Sequence, residues 1–278
     1  ECDAAQHVQR FSVRDRVMHV LLIISFFTLV TTGFPIKYYY TGWAKIMIDF
    51  WGGPAQAGLF HRAAAALLIA LFLYTLWLSI RFLFPGWKAK GWIGRLLGPD
   101  SLCPNLKDLQ DIRGMFRWFF KKGDMPKFDR WTYWEKFDFF AVFWGMTAIG
   151  GSGLMLWFPE ESSWIFPGWL LNVATVVHSE EAFLAAVFIF TVHFFNNHLV
   201  PNKFPLEPNV FTGRYTVEAL QHERPLEYER LVAEGRLDAL KREGPGLLTQ
   251  FFASLFGLSS LLFGLFLTAL IFWAAFFY

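Results

Sequence analysis

The chain reads as an all-α integral membrane protein, and three observations carry that reading. Of its 278 residues, 55% are hydrophobic and 20% aromatic, while only 17% are charged, a balance that excludes an ordinary soluble domain. Five apolar runs, each long enough to cross a bilayer, alternate with polar segments. The charge lies almost wholly in those segments, so its placement says more than the net value of +2.

Taken in order, residues 1–16 are polar, with Arg10, Arg14 and Arg16 ahead of the first run. Helix one is expected over residues 17–35 and carries His19. Residues 36–57 form a connector rich in Tyr and Trp (Lys37-Tyr38-Tyr39-Tyr40, then Trp43 and Trp51-Gly52-Gly53-Pro54), the residue types of a membrane–water interface. Helix two is expected over 58–84, with His61 near its start. Residues 85–136 hold 11 basic residues; within them, 106–120 has the helical spacing of an element lying along the surface. Helix three, 137–158, is glycine-rich at Gly145, Gly150, Gly151 and Gly153. Two roles compete for those glycines: access for a porphyrin, or close helix packing. Helix four is expected over 169–200. Residues 201–246 are hydrophilic, with seven basic and eight acidic residues, and 217–242 reads as one amphipathic helix or a pair broken near Pro225. Helix five covers 247–278 without a charge. No internal repeat is present. The linear division is a four-helix core over 1–200, a cytoplasmic amphipathic segment over 201–246, and an additional transmembrane helix over 247–278.

Cysteine use is sparse. Cys2 and Cys103 lie far apart, no Cys-x-x-Cys-His occurs, and no four-cysteine set exists. This excludes a c-type haem attached by the usual motif and an iron–sulfur cluster. The chain begins at Glu1, as expected of a processed protein or a piece of a longer one. Basic residues in the connecting segments set the expected orientation: the N-terminus and both long polar segments cytoplasmic, the C-terminus outside.

The fourth apolar run carries two histidines, His178 and His193, 15 residues apart. On an α-helix that is roughly 22 Å along the axis with a rotation of only about 60°, so both imidazoles look toward nearly one face. Titratable rings inside a bilayer are costly and usually functional. Because successive helices alternate in direction, depth follows from position. His19 and His193 then share the cytoplasmic level, and His61 and His178 the outer level. Four histidines at two levels are what two bis-histidine b-type haems require. His198, 20 residues from His178, is rotated about 200° from it and faces away; it is expected at an interface or bonded to backbone. His7 and His222 lie in polar segments, where a surface position is the default.

Several motifs together resemble the cytochrome b subunits of formate dehydrogenase (gamma type) and nickel–iron hydrogenase. They are Arg16-x-x-His19, Thr32-Gly33-Phe34-Pro35-Ile36-Lys37, Phe60-His61-Arg62, Trp134-Glu135-Lys136-Phe137-Asp138 and Phe143-Trp144-Gly145. Ser152-Gly153-Leu154-Met155-Leu156-Trp157-Phe158 and His178-Ser179-Glu180-Glu181-Ala182 followed by His193 complete the set. The resemblance spans roughly residues 10–215. It implies a four-helix transmembrane bundle holding two b haems and passing electrons between a redox partner and the quinone pool, with quinone bound at the His19/His193 haem. Helix five and residues 201–246 are additions to that pattern.

Around this frame, Arg14, Arg16, Lys37, Arg62 and Lys203 lie near ligand-bearing helix ends. Each has two competing roles, partner of an anionic haem propionate or interfacial anchor. Arg62, beside a ligand on the poorly basic outer side, is the foremost propionate candidate, with Arg16 and Lys37 also assigned to the cofactor. A quinone needs a proton-exchanging group at an aqueous surface. The cluster Tyr133, Glu135, Lys136 and Asp138 is the first candidate, and Asn196 and Asn197 follow. Glu180 and Glu181 either serve His178 or form an acidic helix start.

The leading expectation is an electron-transfer subunit of a bacterial inner-membrane oxidoreductase complex. It would join quinone (menaquinone or ubiquinone) to an extracytoplasmic redox subunit of iron–sulfur or multihaem cytochrome c type. Membrane lipid is its medium and nucleic acid is not a partner. The alternatives are a haem conduit or anchor between two proteins without a quinone site, and a haem-free transporter using the histidines as a proton relay.

Overall fold

The structure, a computed structural model, describes residues 6–86 and 91–277. Cys2, Lys88, Lys90 and the expected end of helix five at Tyr278 lie outside the described residues. Five helices are long and apolar enough to cross a membrane: Val13–Lys37, Pro54–Leu83, Tyr133–Trp157, Trp169–Leu199 and Leu247–Phe277. The chain is thus a multi-pass, all-α membrane protein with small additions. Its elements are β1 (His7–Gln9), α1 (Val13–Lys37), α2 (Gly42–Phe50), α3 (Pro54–Leu83), α4 (Trp92–Leu96) and α5 (Leu106–Phe119). The third membrane helix is α6 (Tyr133–Gly145), a π turn (Met146–Gly150) and α7 (Gly151–Trp157). After α8 (Pro159–Ile165), the fourth is α9 (Trp169–Phe188) extended by π turns Ile189–His193 and Phe195–Leu199. Then come α10 (Asn209–Thr212), β2 (Arg214–Thr216), α11 (Val217–Glu223), α12 (Pro225–Ala233), α13 (Leu237–Leu240), β3 (Lys241–Arg242) and α14 (Leu247–Phe277).

Three membrane helices begin about one turn earlier than hydropathy predicts: two start on polar, capped turns and the third on a proline. At α1 the Ser12 N–H donates to the Asp15 carboxylate (3.0 Å), and the Asp15 N–H donates back to the Ser12 hydroxyl (3.3 Å). At α6 the Thr132 N–H donates to Glu135 Oε2 (2.8 Å), and the Glu135 N–H donates to Thr132 Oγ1 (3.4 Å). Both are capping boxes, and Asn105 with Asp108 makes a third at α5. The third early start, α3, opens on Pro54, whose fixed φ suits the first helical position. The surface helix expected over 106–120 is α5. The expected break at Pro225 falls between α11 and α12. The 36–57 connector contains a helix that composition did not reveal, α2, with an i,i+4 pair Lys45–Asp49.

The chain divides into two compact units that interleave along the sequence. This differs from a division into consecutive stretches, because the polar segments gather with one another rather than with their sequence neighbours. One unit comprises Glu1–Arg16, Thr75–Ala141 and Pro208–Ala253. It contains a three-stranded antiparallel sheet in the order β2-β1-β3, with Val8 opposite Tyr215 and Lys241. A small core of Val8, Leu220 and Leu231 lies in the same unit. Beside it is a buried charge network. Glu227 pairs with Arg10 (3.4 Å) and Arg130 (2.9 Å), Arg224 with Glu135 (3.0 Å), and Lys136 with Asp108 (2.9 Å). Burial alone would pull the Arg10 guanidinium down, but Tyr215, Glu227 and Glu135 hold its pKa above the usual arginine range.

The second unit comprises Val17–Tyr74, Val142–Glu207 and Ser254–Tyr278. Its core joins Val30, Phe34 and Tyr38 to Ala186, Phe190 and Phe194, and to Leu261, Leu267, Ile271 and Ala274 of α14. Buried positions of α14 recur at Gly257, Leu261, Gly264, Leu267, Thr268, Ile271 and Ala274, the stripe of a helix packed along one face. A Cβ on Gly264 would stand 2.6 Å from Phe194 Cε2 and 2.7 Å from Phe190 Cδ1. The fifth helix is therefore seated on the fourth through a glycine.

Candidate functional site

The second unit brings together His61 of α3 and His178 of α9. Their ring centroids are 6.2 Å apart and their planes are inclined by 67°. Each ring lies over a glycine of another helix. A Cβ on Gly33 would be 3.1 Å from His61 Cε1, and one on Gly153 would be 2.9 Å from His178 Cε1. For Gly153, close helix packing is therefore the role on view. Gly151 meets nothing within 4 Å at the same test.

The hydrogen bonds fix both tautomers. The Ile149 carbonyl, in the π turn of the third membrane helix, lies 3.0 Å from His178 Nδ1. A carbonyl only accepts, so Nδ1 carries the proton. Thr32 Oγ1 lies 2.9 Å from His61 Nδ1, and its own proton is committed to the Thr28 carbonyl at 2.6 Å. The Thr32 oxygen therefore accepts from His61 Nδ1–H. Both rings are left with the lone pair on Nε2, the form in which imidazole binds a metal while its other nitrogen is held by an outer partner.

The spacing fits the same use. A metal–imidazole bond is about 2.0–2.1 Å, so two on opposite sides of one ion place the ring centres about 6 Å apart. Among the described residues, no group of three or more His, Cys, Asp or Glu gathers as a metal cage. A porphyrin-held iron would ask only two such nitrogens of the chain.

The second expected pair belongs to the same unit. His193 and His198 are within electrostatic reach of His19. Asn197 Nδ2 donates to the His193 carbonyl (2.9 Å) and lies 3.2 Å from His193 Nδ1. His198 lies beyond the α-helical part of the fourth membrane helix. It sits in the π turn Phe195–Leu199, where the i→i+5 bond brings residues five apart toward one side, so His198 turns toward His193. Its bond to backbone is as expected: the Glu207 N–H donates to His198 Nδ1 (3.2 Å). Asn196 is half-buried in the same turn. No sequence signal separates these π turns from ordinary helix.

The expected cofactor cations are spread out. Lys37 donates to Glu180 Oε1 and to Ser179 Oγ, each at 2.8 Å, one residue from His178 at its nearest. Glu181 accepts from Trp144 Nε1 at 3.3 Å. Arg16 contacts the Phe211 carbonyl (3.4 Å). Arg62 is exposed, and no hydrogen bond or ion pair of its side chain is seen among the described residues. Arg14 pairs with its neighbour Asp15 at 3.2 Å.

The quinone candidates Tyr133, Glu135, Lys136 and Asp138 lie in the other unit, whereas Asn196 and Asn197 belong to this one. Glu135 uses Oε2 for the Thr132 cap and Oε1 for Arg224. Lys136 is buried on Asp108. Tyr133 stacks edge-on against Trp134 with centroids 4.9 Å apart, and Asp138 is half-buried one turn further on. His7 lies in β1 and His222 in α11. Comparison with known protein-family models gives no match, and a search of curated proteins gives none either.

Proposed function

We propose that this chain is the dihaem cytochrome b subunit of a membrane oxidoreductase complex, transferring electrons across the membrane between a redox partner subunit and the quinone pool. The observation that carries the reading is the His61–His178 pair: two imidazoles at bis-ligand spacing, on different membrane helices, each with Nδ1–H tied and Nε2 presented. Haem bound there supplies one-electron redox chemistry. The chain's part is to hold the rings in one tautomer, to seat them on Gly33 and Gly153, and to surround them with apolar residues that keep water away. His19 and His193 are proposed as the second pair, on their expected common depth and their electrostatic proximity.

The remaining assignments belong to the same proposal. Arg16, Arg62 and Lys37 are assigned to haem propionates, with exposed Arg62 foremost. Within the quinone cluster, Glu135 and Lys136 hold the helix start through their ion pairs, and Tyr133 and Asp138 are assigned to the quinone and its protons; Asn196, of the other unit, is a separate candidate. The membrane is proposed to be the bacterial inner membrane, with the N-terminus cytoplasmic and an extracytoplasmic iron–sulfur or multihaem c-type partner. The resemblance of the ordered motifs to formate dehydrogenase gamma and hydrogenase cytochrome b subunits supports this reading.

A second reading has an observation in its favour. Because Glu135 and Lys136 are both held in ion pairs, a conduit between two proteins without a quinone site remains an alternative. Reduced-minus-oxidised spectra of the purified protein test the haem reading: b-type bands are expected, and their absence refutes it. His61→Ala and His178→Ala are expected to remove one and the same haem, and His19→Ala and His193→Ala the other. Turnover with a soluble quinol separates the quinone reading from the conduit.

A further inference from the structure

Helix α5 is turned inside out relative to an amphipathic helix of a soluble protein. Its two carboxylates face inward: Asp108 and Asp111 are 6% and 7% exposed. Leu106, Leu109, Phe116 and Phe120, spaced along one face, are 63–77% exposed. The inward side is locked in place. Asp108 pairs with Lys136 (2.9 Å), Asp111 pairs with Lys107 (2.7 Å), and a Cβ on Gly114 would stand 2.6 Å from Pro126 Cγ. Lys136 stands in the first turn of the third membrane helix, so its ion pair holds α5 at the end of a membrane span, where headgroups lie. The charge left outside has one sign. Residues 112–123 hold four basic residues, Arg113, Arg117, Lys121 and Lys122, and no acidic one. All four are exposed, and none has a carboxylate partner among the described residues. Arg117 Nη2 donates to the Lys122 carbonyl (3.3 Å). At about 100° per residue, Arg113 and Arg117 fall on the same face as the four apolar side chains.

We infer that the outward face of α5 is a binding surface for anionic phospholipid of the surrounding bilayer. Leu106, Leu109, Phe116 and Phe120 enter the boundary between headgroups and acyl chains. Arg113 and Arg117 reach from between them to phosphate oxygens, and Lys121 and Lys122 add charge at the helix end. Three observations select lipid over a soluble partner protein: the tether to a membrane span, the apolar side chains turned away from the body of the unit, and an exposed charge of one sign that complements anionic headgroups. Pairing both acids on the inward side also removes the repulsion that they would exert on those headgroups. The lipid face does not involve the haems, and a failure here leaves the dihaem reading untouched.

The test uses the full chain carrying Cys2→Ser, Cys103→Ser and a fluorophore on Gln110→Cys, an exposed position of the same helix. It is reconstituted into phosphatidylcholine vesicles. Phosphatidylglycerol or phosphatidylcholine bearing an acyl-chain nitroxide is then added at equal mole fraction, and quenching reads the lipid preference at α5 itself. Both lipids are expected to quench, with phosphatidylglycerol preferred about fivefold or more, the contribution of one basic side chain at an anionic surface. Arg113→Gln combined with Arg117→Gln is expected to bring the preference near parity. Arg236→Gln with Lys241→Gln removes two cations from elsewhere in the same unit and is expected to leave it unchanged. The lipid surface is refuted if neither lipid quenches, which puts protein or water against this face, or if the two lipids quench the parent equally. It is also refuted if the arginine pair leaves the preference intact, or if the control pair lowers it as much. The parent measurement involves no arginine variant, so misfolding of a variant does not decide the outcome.

Discussion

His61 and His178 stand with ring centroids 6.2 Å apart, and each has its Nδ1 proton anchored on a different neighbour: the Thr32 hydroxyl for His61, the Ile149 carbonyl for His178. The two anchors come from two further helices, so four helical segments define one pair of rings. Orientation of this kind sets ligand basicity as well as direction.

Thr32→Val keeps the shape of the side chain and removes the acceptor for His61 Nδ1–H. Weaker retention of one b haem is expected, roughly 10–100-fold in affinity, with the other haem unaffected. Haem content and potentiometric titration of the purified variant check this. Thr32→Ser, which restores a hydroxyl, is expected to behave as the parent.

Gly153→Val places a branched side chain where even a Cβ would lie 2.9 Å from His178 Cε1. The imidazole must leave its seat, and on the dihaem proposal one b haem is expected to be lost. Gly151→Ala is the control, because nothing lies within 4 Å of its added carbon. Equal haem content in the two variants would contradict the seating described for His178.

Glu227→Gln strips the charge partner from Arg10 and Arg130 in a place where the Arg10 and Glu227 side chains are each 2% exposed. Breaking a buried pair of this kind costs about 3–5 kcal/mol, because the remaining cation stays buried. Faster limited proteolysis within residues 208–246 is the expected consequence. An unchanged cleavage rate would mean that the network contributes little to the unit that contains it.

Gly264→Leu drives a side chain into Phe190 and Phe194, which already approach within 2.7 Å of an added Cβ. Overpacking of this degree costs about 1–3 kcal/mol, and a lower thermal aggregation temperature in detergent is expected. Gly246→Ala, with open space around its Cβ, serves as the comparison.

The sequence by itself determined the parts that depend on short range. Hydropathy located five membrane-length helices, because each run must satisfy its backbone within itself in lipid. Pro225 ended one helix and began another. The motifs Ser12-x-x-Asp15, Asn105-x-x-Asp108 and Thr132-x-x-Glu135 are equally local and set three helix starts, two of them a turn ahead of the apolar run. The seating of α14 was half visible: Gly257, Gly264 and Ala274 are small residues on one helical stripe, but the uniform apolarity of that run hid which face was inside.

What only the tertiary structure decided are the relations between distant residues. Glu135 meets Arg224 and Glu227 meets Arg10 across long stretches of chain, and β1 joins β2 and β3 from the far end of the sequence. A charge pattern does not name its partner, because Coulomb attraction ranks positions in space and not in sequence. The π turn Phe195–Leu199 turns His198 toward His193, a relation that the spacing of His198 from His178 does not address. The proton positions on His61, His178 and His198 followed from a hydroxyl, a carbonyl and an amide supplied by other segments. Histidine spacing marked the candidate ligands. Which nitrogen each ring offers was set by the groups that packing brought against it.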